Sequence, residues 1–273
     1  MSTWQSGFVQ ANGLRLHYTR TGGAGAPLVL AHGFSDDGLC WTPVAQALEA
    51  EYDVIMMDAR GHGRSDAPES GYGPLDLAAD LAAAIAALSL ERPAVLGHSM
   101  GGSTALALAS LYPDVPGAIL VEDSGHAGSA PRPARDPQWL ERTRAQIASY
   151  ATTTREELMA RCHVNSPTWS EAELGPWADS KKRLSPNVLN RLGEPSPDWE
   201  ALLPRITCPA LLITADPERG SMVTAETAAA MQALARQLQV VHIADAGHNI
   251  RREQFERYLE VVRAFLQEWQ ASR

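Results

Sequence analysis

Short apolar runs bounded by Gly, Pro and Asp recur along this chain, separated by longer stretches with helical spacing. Residues 28–31, 54–58, 94–97, 118–121, 210–214 and 240–243 are too short for helices and show no polar alternation, the pattern of strands covered on both faces. Between them, residues 41–50, 75–90, 100–112, 224–238 and 251–269 read as helices. In the last of these, Phe255, Leu259, Val262, Leu266 and Trp269 fall on one stripe, which marks the face it buries. Residues 7–9 and 14–18 flank Asn12-Gly13, a dipeptide whose tolerance of positive φ predicts a tight hairpin. Strand alternating with helix in this order predicts an α/β fold, doubly wound around a mostly parallel sheet.

The alternation fails between about residues 123 and 201. That stretch is rich in Pro, Ser and charge, carries Trp139, Trp169, Trp177 and Trp199, and contains no convincing strand. It is too long for a plain loop in a compact domain, so the expectation is a helical cap inserted after the sixth strand. The core would then be 1–123 and 201–273 and the cap 124–200, with Pro131-Arg132-Pro133 leading in and Pro195-Ser196-Pro197 leading out. The four tryptophans would pack within the cap or line a pocket beneath it.

The formal charge of −9, with no concentration of Lys and Arg, argues against a nucleic-acid partner. Cys40, Cys162 and Cys208 are odd in number and widely spaced, which predicts neither a disulfide framework nor a zinc site and fits a reducing compartment. The first ten residues lack a basic, then apolar, leader, and no run approaches the roughly 18 apolar residues of a membrane span. The expectation is a cytoplasmic protein acting on a small molecule, without membrane attachment and with its oligomeric state undetermined.

The strongest chemical signal is Gly97-His98-Ser99-Met100-Gly101-Gly102, which follows one predicted strand and opens a predicted helix. In that context G-x-S-x-G is a nucleophile elbow: small flanking residues permit a strained strand-to-helix turn that leaves the serine hydroxyl exposed. The helix behind it aims its N-terminal dipole and free N–H groups at developing negative charge. His32-Gly33-Phe34-Ser35 follows an earlier strand, and Ala246-Gly247-His248-Asn249 follows the last one. On these motifs the chain resembles the α/β-hydrolase superfamily, in the branch of esterases, C–C hydrolases and cofactor-free haloperoxidases that carry a cap. The resemblance extends over essentially the whole chain.

That resemblance implies an oxyanion hole made by the amides of Phe34 and Met100, with His248 as the base that activates Ser99. It places the orienting acid after the seventh strand, at Asp216. The chain lacks the Gly that often ends that strand, so Glu218, nearer the usual offset, and Asp123, after the sixth strand, stay in view as alternatives. The turn Asp58-Ala59-Arg60-Gly61-His62-Gly63-Arg64-Ser65 reads as structural, with Asp58 and Arg60 anchoring neighbouring loops. His17, His98, His126, His163 and His242 also read as structural. Arg251 and Arg252 read as a solvated helix start, although they could attract an anionic substrate.

No H-E-x-x-H spacing and no dinucleotide fingerprint appears, so neither metal nor cofactor is expected. The resulting expectation is a carboxylesterase cleaving small to medium esters through an acyl-Ser99 intermediate. A C–C bond hydrolase keeps the same constellation, but such relatives usually carry an aromatic residue after the base, where this chain has Asn249. A haloperoxidase or perhydrolase is a further alternative. A ligand receptor that retains the triad without turnover is the non-enzyme reading, and a panel of activated esters separates it from an esterase. Epoxide hydrolase and haloalkane dehalogenase chemistry is disfavoured, because both need a carboxylate where Ser99 stands.

Overall fold

The apolar runs become strands β1 (Gln5–Ala11), β2 (Leu14–Arg20), β3 (Pro27–Ala31), β4 (Asp53–Met57), β5 (Ala94–His98), β6 (Ala118–Glu122), β7 (Ala210–Thr214) and β8 (Leu238–His242). They form one eight-stranded sheet in the order β1-β2-β4-β3-β5-β6-β7-β8, seen in a computed structural model that describes residues 4–125 and 137–272. The hairpin β1–β2 is antiparallel, and β2 lies antiparallel to β4. The remaining neighbours run parallel. Asn12 and Gly13 close the hairpin at φ of 50° and 78°, with Ala11 opposite Leu14, as the Asn-Gly pair predicts.

Helices α1 (Thr42–Leu48), α2 (Pro74–Ala87), α3 (Met100–Leu111), α4 (Pro137–Thr152), α5 (Arg155–Asn165), α6 (Glu171–Lys182), α7 (Trp199–Leu202), α8 (Ala225–Leu234), α9 (Ile250–Glu253) and α10 (Phe255–Ala271) complete the described architecture. The interiors of the central strands carry no polar positions, because alternate residues meet different layers of helices; Asp53, His98, Glu122 and Thr214 stand at strand ends. Val29, Ile55, Val95, Ile119 and Leu212 enter one buried cluster with residues of α2 and α3. Leu30, Met56, Leu96, Leu120 and Ile213 enter a second with residues of α1 and α10. Each fully buried Leu or Ile contributes about 1.5–3 kcal/mol relative to exposure, so both faces select for apolar side chains.

Between β6 and β7 the described residues form only helices and 3₁₀ turns. They have an apolar nucleus of their own, in which Ile147, Tyr150, Leu158, Ala178 and Val188 pack with Tyr72. Helix α5 starts on a reciprocal cap, Thr154 accepting from the Glu157 amide and Glu157 from the Thr154 amide, which satisfies two otherwise orphaned donors. Trp199 departs from the expected cap packing, since it joins the main core alongside α3. The Pro131-Arg132-Pro133 linker and His126 lie outside the described residues, as does the side chain of Trp139.

Two helix ends differ from the sequence pattern. The helix expected to reach residue 238 stops at Leu234, because Leu238 pairs with Ala210 as the first residue of β8. Sheet register overrides a helix-compatible sequence there. The C-terminal helix breaks at Gln254, which has φ of −133°, leaving the short α9 ahead of α10.

Candidate active site

Ser99 stands between β5 and α3 with φ of 51° and ψ of −108°, a conformation that costs a non-glycine residue roughly 1–3 kcal/mol. The turn can be this tight because of its glycines. A Cβ at Gly97 would lie 2.1 Å from the Gly101 carbonyl oxygen, and one at Gly101 would lie 2.0 Å from the Ala31 oxygen. Gly33, in the turn after β3, also lies against the elbow: a Cβ there would stand 3.6 Å from Ser99 Cβ. The Phe34 turn, Ser99, Met100 and His248 all face one cavity of about 820 Å³.

His248 lies between β8 and α9, with its Nδ1 2.6 Å from Asp123 Oδ2. Asp123 follows β6, has φ of 41° and is fully buried. Its carboxylate also accepts the Ser221 hydroxyl at 2.6 Å and the amides of Met222 and Val223 at 2.8 and 3.1 Å. This shell fixes the carboxylate and leaves Oδ2 directed at the imidazole.

Asp216, the acid expected from the sequence, is elsewhere. Its Oδ1 lies 2.9 Å from His242 Nε2 and its Oδ2 accepts the Asp245 amide at 2.8 Å. The register of β7 on β8 sets Thr214 opposite His242, so Asp216 ties the β8 edge to its following turn. Glu218, in the 3₁₀ turn Pro217–Arg219, is exposed and likewise does not meet His248. Of the three carboxylates kept in view, it is thus Asp123, the alternative after the sixth strand, and not Asp216 that meets His248.

His98 packs against His248. Its Nε2–H donates to the His248 carbonyl at 2.9 Å, and the two rings lie 4.7 Å apart. Burial, reinforced by Arg251 and His248, holds His98 well below the ordinary imidazole range, so it serves as a neutral prop. Asp58 accepts the Gly38 and Arg64 amides at 2.7 and 2.9 Å, and Arg60 forks onto Asp80. Both are the loop anchors that the turn after β4 predicts. His62 is buried beside His32, its Nδ1–H donating to the Arg60 carbonyl at 2.8 Å.

Arg251 and Arg252 correct a second expectation. Neither is solvated: they are 0% and 5% exposed. Arg251 pairs with Glu122 at 3.1 Å, while Arg252 pairs with Asp36 at 2.9 Å and with Glu173 of α6 at 3.0 Å. Lys181 of α6 also reaches Asp36, at 2.9 Å. Burial pushes the Asp36 carboxyl upward, but Arg252, Lys181 and Arg251 outweigh it and hold the group well below the usual carboxylate range. No periodic signal marks this cluster along the chain, because its members come from four separate segments.

Trp169, Trp177, Arg142 and Arg191 bring the helical insertion onto the cavity wall. Among the described residues, the charged ones on that wall are Arg142, Arg191, Arg252 and Asp36, and Asp36 is already matched by buried cations. Arg252 is matched within the same cluster, by Asp36 and Glu173, so Arg142 and Arg191 are cations that the helical insertion adds to this wall.

A serine on a strained elbow, an Asp–His pair directed into the same cavity and a parallel sheet beneath them define a hydrolase. The chain belongs to the α/β-hydrolase fold family, which its residues 26–251 match. It is 33% identical over 257 residues to N-formylmaleamate deformylase of Pseudomonas putida, covering 92% of each chain. The crystal structure of an N-formylmaleamic acid deformylase from Pseudomonas putida superposes with a TM-score of 0.81 at 26% identity, covering 94% of this chain and 100% of that one. A thermophilic esterase from Thermogutta terrifontis with malate bound gives a TM-score of 0.74 at 26% identity, covering 97% and 99%.

Proposed function

We propose that this hydrolase acts through an acyl-Ser99 intermediate on a small, carboxylate-bearing substrate, opening an N-acyl amide or ester bond. The observation that carries the reading is His248 held by Asp123 at 2.6 Å on the cavity that contains Ser99. Ser99 Oγ attacks the acyl carbon as its proton passes to His248 Nε2, while Asp123 keeps the Nδ1–H tautomer and stabilises the imidazolium. The amides of Phe34 and Met100 receive the developing oxyanion, the latter at the positive end of α3. Collapse expels the amine or alcohol, which takes the proton from His248. A water activated by the same imidazole then releases the acid and restores Ser99.

Two further observations favour an anionic N-acyl substrate over the small to medium esters expected from the sequence. The cavity wall carries Arg142 and Arg191 from the helical insertion. The relative covering 92% of the chain is named for deformylating N-formylmaleamate, an N-acyl compound with a carboxylate. A charge-assisted hydrogen bond contributes about 1.5–3 kcal/mol, or roughly ten- to hundredfold in specificity.

The test is a matched series of N-formyl and N-acetyl amides and short esters, each with a free carboxylate or its methyl ester. The expected result is kcat/KM at least about tenfold higher for the carboxylates, and lowered for them alone by Arg142→Gln or Arg191→Gln. Ser99→Ala should reduce turnover by about 10³ or more with the fold intact. Equal rates on acid and methyl ester would overturn the anion preference, and wild-type rates in Ser99→Ala would overturn the nucleophile.

A further inference from the structure

We propose that Lys181, supplied by the helical insertion, is the positioning residue that holds the oxyanion turn, and with it the Phe34 amide, in its working shape. The inference rests on the acyl-serine reading above. The Asp36 amide donates to the Gly33 carbonyl at 3.1 Å, closing a four-residue turn with Phe34 and Ser35 at its centre. Ser35 has φ of +67°. The third position of such a turn favours glycine, because a positive φ crowds any Cβ. The turn therefore relaxes toward another shape unless something outside it holds Ser35 in place.

Lys181 is the outside hold. Its Nζ donates to the Ser35 carbonyl at 2.7 Å, to Asp36 Oδ1 at 2.9 Å and lies 3.2 Å from Ser35 Oγ. The neighbouring Ser180 hydroxyl reaches the same carbonyl at 3.3 Å. The ammonium also sits 4.8 Å from the centre of the Trp177 ring, which fixes its own stem. Turning the Ser35 peptide into the ordinary helical region would swing its carbonyl off Lys181 and leave a buried cation short of an acceptor. Lys181 is 3% exposed and does not line the cavity, so it acts through the turn and not on the substrate. Its loss should therefore appear in kcat more than in KM, since the oxyanion forms only as the reaction proceeds.

The experiment combines Lys181→Met and Ser35→Gly, singly and together, in the full chain on the best substrate of the series above. Lys181→Met should lower kcat by roughly 10- to 100-fold, short of the loss of a whole oxyanion donor, with KM changed less than about twofold. Adding Ser35→Gly should restore most of kcat, because glycine adopts the positive φ unaided. Rescue of this kind is not expected of a lysine that merely stabilises the fold. If Lys181→Met does not fold, Lys181→Arg keeps the buried charge with altered donor geometry and should show the same rescue at a smaller loss. Wild-type kcat in the lysine variants, or a folded double variant no faster than its parent, would overturn the inference. Fluorophosphonate labelling of the wild type separates the two levels: absence of label on Ser99 removes the acyl-serine reading and this inference with it, whereas labelled Ser99 with unaffected lysine variants removes this inference alone.

Discussion

At the residue scale, the two candidate acids show what a carboxylate needs in order to orient a histidine. Asp123 is buried and held by three donors besides His248, so its remaining lone pairs point one way. Asp216 is occupied by His242 and the Asp245 amide. Asp123→Asn should reduce kcat by up to about 10⁴, since an amide can stabilise the wrong imidazole tautomer. Asp216→Asn should change kcat by less than about tenfold, and a steady-state comparison of the two decides it. That Ser99 and His248 would share one site was legible because each sits in a glycine-bounded motif at a strand end. The acid was legible only as a choice among three, because an Asp after a strand carries no local mark of which histidine it meets. The missing Gly near Asp216 was the one warning in the sequence.

At the element scale, the elbow is a packing problem as much as a chemical one. Helix α3 starts so close to β3 and β5 that Gly97 and Gly101 have no room for a side chain. Gly101→Ala would press a methyl group into backbone that cannot yield, and should destabilise the chain by about 3 kcal/mol or more. Urea unfolding followed by circular dichroism measures this, with Gly220→Ala as the control for a positive φ in open space. The strands were readable because both their faces are covered, which removes polar positions from the run. The fate of residues 124–200 was readable only as helix without strand. Nothing in the sequence period told that Trp199 would return to the main core, or that α6 would present Glu173 and Lys181 to Asp36 and Arg252.

At the scale of the whole molecule, buried histidines tie stability to pH. Burial, with His32 nearby, pushes His62 down to about 3 from an ordinary 6.5. Below 6.5 the unfolded chain takes up a proton that the folded chain refuses, so this stability is full above pH 6.5. It falls as the pH drops from 6.5 toward 3. The slope from one such group is about 1.4 kcal/mol per pH unit. Denaturant titrations at pH 7.5, 6 and 5 should show progressive loss, less steep in His62→Gln; parallel slopes would contradict it. A different tension is set by the backbone at residue 99, where φ of 51° suits glycine better than serine. Ser99→Gly should relieve strain, and even after the greater chain freedom of an unfolded glycine the gain could reach about 1 kcal/mol, or roughly 2–4 °C in Tm. Heat challenge alone would thus enrich a glycine variant that lacks the proposed nucleophile, so in any directed evolution of this hydrolase thermal selection and turnover must be imposed together for Ser99 to survive.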